Sequence, residues 1–188
     1  IINKKTTQSQ RQNTNQDRDQ SLKINLRMPS KLFYFFLLFA LILVSCDTKS
    51  VFDDYKTVPK VWNKDKTISF NVNPPDSTKA YNLFVNLRNT PDYKYSNLFL
   101  IVEMNFPHGK NIIDTLEYKM AKPNGEFLGT GLSSVKENKL WYKEGVVFNE
   151  TGEYVVNIKH AMRENGEVNC IANLEGITDI GFRIEKTE

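Results

Sequence analysis

An uninterrupted apolar run, Leu32–Val44, limits what this chain can fold into more than any other feature of its sequence. As a helix the run would be about 20 Å long, shorter than the hydrocarbon core of a bilayer at about 30 Å. It also lacks the polar face of a helix that packs against a core. With Lys31 before it and small residues after it, the run has the three-part arrangement of a secretory signal peptide.

The run ends in the letters LVSC, which match the lipobox of bacterial lipoproteins up to Cys46. In that pathway the cysteine sulfur receives a diacylglyceryl group, and the chain is cut immediately before the cysteine. We therefore predict a lipoprotein signal peptide over residues 28–45 and lipidation of Cys46, rather than an ordinary signal peptide with an incidental cysteine. Several acyl chains on one residue give stable anchoring, so the membrane is the first predicted partner and the cell envelope the predicted location.

Residues 1–27 differ in character from the rest of the chain. They carry six Lys/Arg, two acids and few large apolar residues, a composition that buries too little apolar surface to offset the entropy of ordering. Met28 is the first methionine and opens the signal peptide. We expect translation to start naturally at Met28, with residues 1–27 either outside the natural protein or disordered.

Removal of residues 1–45 changes the charge of the chain. The whole chain has 25 Lys/Arg and 22 Asp/Glu, and residues 1–45 hold seven of the bases and two of the acids. The remaining 143 residues, Cys46–Glu188, therefore carry 18 bases and 20 acids, a net charge of about −2. The basic excess that would favour nucleic acid lies in the removed part, so we expect no nucleic-acid partner. With Cys46 consumed by lipid, Cys170 has no disulfide partner within the chain.

Alternating apolar and polar residues predict β-strands over most of residues 67–188. The alternation is clear over residues 81–88, as is typical of a half-buried strand. Residues 98–106 are apolar on nearly both faces, and a Pro-His-Gly turn then reverses the chain into a predicted hairpin. The sequence therefore predicts an all-β domain, an antiparallel β-sandwich of about seven to eight strands, Ig-like or jelly-roll-like.

Tyr154 adds a local argument for a sandwich. It stands two residues after Gly152, at the start of a predicted strand, where it resembles the tyrosine corner of Greek-key sandwiches. In that motif the tyrosine hydroxyl bonds to the backbone a few residues upstream.

Two segments lack a strand pattern. Residues 46–66 are polar with isolated aromatic residues, and we predict a tether that becomes a packed segment where it meets the sandwich. Residues 121–145 form the longest predicted irregular stretch and contain four glycines. Loops of this length inside a compact domain are usually functional or disordered.

The sequence contains no recognisable catalytic set. The stretch GTGLSS at 129–134 lacks the third glycine and the βαβ context of a dinucleotide-binding loop. His108 and His160 have no Cys or acid at zinc-ligand spacing, and no Gly-x-Ser-x-Gly elbow is present. We therefore predict no catalytic residues, no metal and no cofactor, and a protein that is not an enzyme.

Aromatic and basic residues in the predicted loops are the candidates for contact with a partner, because Tyr, Trp and Arg are enriched at interface hot spots. The loop over residues 88–97 and the stretch over 121–145 supply them. The candidate interaction surface consists of Arg88, Tyr93, Tyr95, Trp141 and Tyr142. The alternative is that the loop tyrosines pack back onto the edge of the sandwich.

Several long strings carry a family likeness. After the lipobox come VFDDYKTVP, YNLFVNLRNTPDYKYSNLFLIVEMNFP, DTLEYKMAKPNGEFLGTG and KENKLWYKEGVVF, in this order. They resemble the gliding motility lipoprotein GldH family of the Bacteroidota, from about residue 46 to residue 185. The resemblance implies a cell-envelope lipoprotein that is required for gliding and linked to type IX secretion of surface adhesins, with other gliding and secretion proteins as partners. It carries over one functional residue, the lipidation site Cys46.

The sequence leaves more than one possibility for the location of the protein and for its function. Surface-exposed lipoproteins of the Bacteroidota tend to carry several acidic residues just after the cysteine, whereas the stretch DTKSV after Cys46 contains one acid. This favours the periplasmic side over the cell surface. It does not decide between the inner and the outer membrane. The leading function is a non-enzymatic tethering protein. One alternative is a carbohydrate- or peptidoglycan-binding module that stacks sugars on Tyr93, Tyr95 and Trp141. Another is an envelope hydrolase, which needs a cleft with converging acids.

Overall fold

The computed structural model describes residues 49–59, 61–131 and 133–187, and every regular element within them is a β-strand. The ten strands are β1 Ser50–Thr57, β2 Val61–Asn63, β3 Ile68–Val72, β4 Tyr81–Asn89, β5 Asn97–Asn105, β6 Asn111–Lys119, β7 Lys136–Val146, β8 Tyr154–His160, β9 Asn173–Glu175 and β10 Ile177–Lys186. No helix in this part of the chain is long and apolar enough to cross a membrane. The predicted signal peptide, Cys46 and residues 1–27 lie outside the described residues.

The first half of the described chain folds back along the second half, strand against strand. β5 pairs with β6 and β4 with β7. β3 pairs with β8, β2 with β9 and β1 with β10. All five pairs are antiparallel, so together they form one long hairpin whose tip is the turn between β5 and β6.

This long hairpin is rolled into two sheets. Two further antiparallel pairs, β10 with β4 and β5 with β8, close them. The first sheet has the order β1-β10-β4-β7 and the second the order β3-β8-β5-β6, while β2 and β9 form a separate pair. A folded-over hairpin shared between two four-stranded antiparallel sheets is a jelly roll. The predicted β-sandwich is therefore confirmed, in its jelly-roll rather than its Ig-like form.

Alternation along the strands places the core between the sheets. In β8 every second residue from Tyr154 to His160 is buried, and the residues between them are half-buried. The buried side chains are mostly aliphatic or aromatic, and their removal from water is the main stabilising contribution to the fold. β4 departs from this alternation, because Phe84 and Asn86 are also buried although they point away from the core.

The hairpin turn and the tyrosine corner lie where the sequence predicts them. Phe106 N donates to Lys110 O at 2.8 Å, which closes the turn between β5 and β6. Glu150 N donates to Tyr154 Oη at 3.0 Å, and that hydroxyl donates to Glu150 O at 3.3 Å. Tyr154 is fully buried and its ring contacts Phe148. The loop before β8 is thereby fixed to the core.

The sandwich begins earlier than the predicted boundary at residue 67. β1 and β2 both lie within 46–66, the segment in which we predicted a tether that becomes packed against the sandwich. β1 is an edge strand with one neighbour, so it buries Phe52 and Tyr55 only in part and shows no strong apolar alternation. This weak pattern is the reason why the sequence did not predict the strand.

The predicted irregular stretch over residues 121–145 is also shorter than expected. β7 occupies its second half, from Lys136 onward. In the first half, isolated bridges join Ala121 to Phe127 and Thr130 to Glu137. The segment between β6 and β7 is therefore ordered by backbone pairing in its described residues.

Candidate functional site

The five residues of the predicted interaction surface do not share one surface. Arg88 in β4 and Trp141 in β7 both lie on the outer face of the first sheet, the face that points away from the core. Tyr142 points into the core and is 7% exposed, and Tyr93 is 2% exposed. Tyr95 is half-buried against Tyr93. The structure therefore places Arg88 and Trp141 on one face of the first sheet and the three tyrosines elsewhere.

Tyr93, in the middle of the 88–97 loop, belongs to the core. Tyr93 Oη donates to Asn97 O at 2.6 Å, and its ring meets the Tyr95 ring with centroids 5.7 Å apart. Burial, with a smaller contribution from Tyr95, raises the pKa of Tyr93 above its usual value. The loop reaches inward because Gly176 has no side chain, and a Cβ there would lie 2.1 Å from Tyr93 N. Tyr93 therefore packs onto the sandwich, as the alternative prediction has it, and is not available for contact with a partner.

Tyr142 connects the edges of the two sheets. Its hydroxyl donates to Asp114 Oδ2 in β6 at 2.9 Å, and Lys143 Nζ lies 2.8 Å from the same oxygen. Tyr118 Oη in β6 donates to the backbone oxygen of Trp141 at 2.8 Å. Since β6 and β7 are edge strands of different sheets, these contacts close the seam between the sheets. Tyr142 thus stabilises the contact between the two sheets and is not part of the outer surface.

Arg88 is part of a closed cluster on the outer face of the first sheet. Its Cζ lies 4.4 Å from the centroid of the Tyr55 ring, and its Nε lies 3.0 Å from Glu137 Oε2. Tyr55 Oη donates to Glu137 Oε1 at 2.9 Å. Gly181 makes room for Tyr55, because a Cβ at that position would lie 2.9 Å from two ring carbons. The cluster therefore links β1, β4 and β7 across β10.

A second cluster on this face contains charges of both signs. Arg183 forms ion pairs with Asp53 and Glu185, and Lys139 Nζ lies 2.6 and 2.7 Å from the two Glu185 oxygens. Burial on its own would raise the pKa of Glu185, but the hydrogen bonds from Lys139 and Arg183 outweigh it and hold the pKa below its usual value. Glu185 is therefore a carboxylate at neutral pH and is not poised to donate a proton.

Trp141 forms the exposed part of the outer face. Its side chain is 49% exposed and stands perpendicular to the Phe84 ring, with ring centroids 4.8 Å apart. Lys139 Nζ lies 4.1 Å from the centroid of the Phe84 ring, within the range of a cation–π contact. These three side chains border a shallow depression of about 530 Å³. Its other lining residues include Asn82, Glu144 and Glu185.

The two histidines lie apart from this face. His160 is buried, and its Nε2 lies 3.0 Å from Trp62 O. Burial lowers the pKa of His160, and the hydrogen bond to Trp62 only partly opposes this effect. His108 is exposed, with Nδ1 3.3 Å from Glu150 Oε2. Within the described ranges, no group of three or more His, Cys, Asp or Glu is placed to hold a metal ion.

Sequence reasoning missed Tyr55 and Phe84 as members of the outer face. For Phe84 a signal was present, because it is an aromatic residue at a polar position of an alternating strand. Its 6% exposure results from contact with the Trp141 ring and with Lys139. Tyr55 carried no such signal, since its partners in β4 and β7 are distant in sequence.

Comparison with known proteins covers nearly all of the described domain. The family model of the GldH lipoprotein matches residues 50–184. A protein of Christiangramia forsetii, named gliding motility lipoprotein GldH homolog, is 56% identical over 162 residues, which cover 86% of this chain and 99% of that protein. Gliding motility lipoprotein GldH of Flavobacterium johnsoniae is 52% identical over 152 residues, which cover 81% of this chain and 94% of that protein.

Solved structures show a distant likeness. A structure of the infectious bursal disease virus Gt strain has a TM-score of 0.34 and 12% identity, covering 73% of this chain and 32% of the viral chain. A VP2 subviral particle of the same virus has a TM-score of 0.31 and 13% identity, covering 75% of this chain and 34% of the viral chain. Similarities this low carry no argument about function. The family model and the two bacterial relatives show that this chain belongs to the GldH lipoprotein family.

Proposed function

We propose that this chain is a lipid-anchored component of the cell envelope that is needed for gliding motility and for the associated type IX protein secretion. The observation that carries this proposal is the 56% and 52% identity to two proteins named for gliding motility. The alignments cover 99% and 94% of those proteins, so the similarity extends over the whole domain instead of a single motif. Similarity of this extent supports a shared role.

The proposed role is non-enzymatic and depends on contact with other envelope proteins. The outer face of the first sheet supports it, because its charged side chains are held in pairs such as Arg88–Glu137 and Lys139–Glu185. Side chains held in this way present a surface of defined shape, and Arg, Tyr and Trp are the residue types that dominate binding energy at interfaces. Arg88 and Trp141 are the predicted contact residues that remain on this face.

The proposed anchor is a lipid on Cys46. The apolar run Leu32–Val44 and the LVSC lipobox support it. Only residues 47–49 separate Cys46 from the start of β1. The tether in this proposal therefore lies within residues 47–49, and the rest of the 46–66 segment belongs to its packed part.

Deletion of the gene, followed by complementation, tests the proposal. We expect the wild-type gene to restore colony spreading and adhesin export, and Cys46→Ser to fail because the chain then has no cysteine sulfur to carry the lipid. Cys170→Ser is the matched control, since Cys170 is half-buried in the domain and should be replaceable without loss of either function. Normal spreading and export in the deletion strain would refute the motility role, and full rescue by Cys46→Ser would refute the anchor.

We further propose that the domain faces the periplasm, because residues 47–51 contain one acid and no acidic cluster. Proteinase K added to intact cells should leave the chain whole and should degrade it after the outer membrane is permeabilised. A lipoprotein known to be on the surface of the same strain controls for protease activity. Degradation in intact cells would place the domain at the cell surface instead.

A further inference from the structure

The depression beside Trp141 has features of a small-molecule site, and it lies on the same outer face that the proposed function assigns to contact with other proteins. Of the two tryptophans in the chain, Trp62 is fully buried whereas Trp141 is 49% exposed. An indole ring in water leaves a large apolar surface uncovered, so a ligand that covers it gains free energy. Trp141 is therefore the place on this face where binding would be most favourable.

Phe84 and Lys139 hold the aromatic part of the depression in place. Phe84 is directly opposite Trp141 across β4 and β7, and their rings are perpendicular, with an interplanar angle of 88°. Lys139 Nζ covers the Phe84 ring at 4.1 Å from its centroid. Because Phe84 is only 6% exposed, the aromatic surface available to a ligand is that of Trp141. A ring held by its neighbours loses little conformational entropy when a ligand stacks on it.

Hydrogen-bonding groups surround this ring. Lys139 and Glu144 both line the depression, and Lys139 is held by Glu185, whose Oε1 lies 2.6 Å from Lys139 Nζ. Asn82 lines it as well, and its Oδ1 accepts a hydrogen bond from Gly145 N at 3.2 Å. That bond ties the Asn82 amide to the part of β7 that follows Trp141. Donors and acceptors therefore lie next to the apolar ring on a rigid sheet.

The charge of the depression is nearly balanced. Three lysines and two carboxylates line it: Lys49, Lys139, Lys186, Glu144 and Glu185. An anion placed there would meet the carboxylates and a cation would meet the ammonium groups, so neither gains much net attraction. A neutral ligand with many hydroxyl groups can donate to the carboxylates and accept from the lysines. The charge pattern thus favours a neutral polyhydroxyl compound.

We propose that this depression binds a neutral glycan, with one pyranose ring stacked on Trp141 and its hydroxyl groups bonded to Lys139, Glu144 and Asn82. A pyranose has C–H groups on its faces and hydroxyl groups around its rim, which matches an aromatic ring surrounded by polar side chains. The volume of about 530 Å³ suits a short oligosaccharide. This activity would be additional to a role in gliding and is tested independently of it.

Calorimetric titration of the full-length lipoprotein tests the proposal. The protein is purified in lauryldimethylamine oxide, a detergent without a sugar head group, and titrated with cellotetraose, laminaritetraose, maltotetraose and chitotetraose. Tryptophan fluorescence is recorded in parallel, and because Trp62 is buried, a saturable change reports on Trp141. At least one tetraose is expected to bind, with heat and fluorescence saturating at the same concentration.

Three variants show where the glycan binds. Trp141→Ala should weaken binding about tenfold or more, as expected when an aromatic anchor is truncated. Trp141→Phe should recover part of the affinity because it keeps an aromatic ring. Ile113→Ala is the matched control, since Ile113 is 64% exposed on β6 in the other sheet, and it should bind like the wild type.

Three outcomes would overturn the proposal. The first is the absence of binding by all four tetraoses at millimolar concentration. The second is equal affinity in the wild type and in a folded Trp141→Ala variant, because the ligand would then lie elsewhere. If Trp141→Ala does not fold, the wild type decides: heat of binding without a saturable tryptophan change would exclude Trp141 from the site.

Discussion

Gly181 and Gly176 shape the molecule through the side chains that they lack. At Gly181, in the middle of β10, the free space admits the Tyr55 ring, which then reaches Arg88 on the far side of the strand. At Gly176 the backbone of Tyr93 comes so close that no Cβ would fit, and the φ of 81° also favours glycine. The packed outer face and the inward course of the 88–97 loop each depend on one of these residues.

We expect Gly176→Ala to lower the free energy of unfolding more than Gly166→Ala does. Both glycines have positive φ, 81° and 87°, so alanine brings a similar backbone strain of about 1–2 kcal/mol at each site. Only at position 176 would the new Cβ meet backbone, 2.1 Å from Tyr93 N, and such overpacking adds about 1–3 kcal/mol. Urea titration of both variants measures the difference. Equal losses would show that the loop does not pack against Gly176.

At the scale of elements, the seam between β6 and β7 joins the two sheets through side chains instead of backbone pairing. Asp114 accepts from Tyr142 and pairs with Lys143. Burial alone would raise the pKa of Asp114, but the hydrogen bonds from Lys143 and Tyr142 outweigh it and hold the pKa below its usual value. The ionised form of Asp114 therefore stabilises the closed seam.

We expect Asp114→Asn to reduce the dependence of stability on acid pH. A carboxyl whose pKa is lower in the folded chain stabilises it above the unfolded pKa of about 3.9, and this stabilisation is lost as the pH falls through the folded pKa. The wild type should therefore lose stability more steeply than the variant below about pH 5, and should be the more stable of the two at neutral pH. Thermal midpoints measured across this range test the expectation.

Asp54→Asn is the matched control for the seam, because Asp54 is an exposed residue of the edge strand β1. Its pH profile should follow that of the wild type more closely than the profile of Asp114→Asn does. Identical profiles for Asp114→Asn and the wild type would show that Asp114 contributes nothing to the seam.

At the scale of the whole molecule, the fold-back pairing joins the two ends of the described chain. β10 lies between β1 and β4, so the C-terminal strand is central to the first sheet. The pairs far from the hairpin tip connect residues that are distant in sequence, such as Asp53 and Arg183, 130 positions apart. Pairings of this kind are slow to form, because the chain must lose the entropy of closing a long loop before the paired strands stabilise the fold.

We expect amide hydrogen exchange to be slowest in the central strands β4, β10, β5 and β8. These strands have a neighbour on both sides, whereas β1, β7, β3 and β6 are edge strands, and local opening exposes edges first. Exchange followed by NMR compares the adjacent strands β5 and β6 directly. Equal protection of β5 and β6 would contradict the order of the second sheet.

Local features allowed part of this structure to be predicted. The hairpin after β5 is encoded by an apolar strand and a Pro-His-Gly turn, and the tyrosine corner by Tyr154 and the residues just before it. Both depend on interactions between residues close in sequence, so their patterns are visible in a short window. β1 was not predicted, because an edge strand with partly buried side chains shows little alternation.

The sequence by itself determined the class of fold, the periodicity of the central strands and the family likeness, and from Cys46 it predicts an anchor outside the described residues. Only the tertiary structure decided that the sandwich is a jelly roll, that Tyr93 and Tyr142 are buried, and that Arg88 and Trp141 share one face. Alternation shows that a strand has two faces, but it does not show which strand lies beside it. That choice depends on contacts between residues far apart in sequence, which a local pattern does not contain.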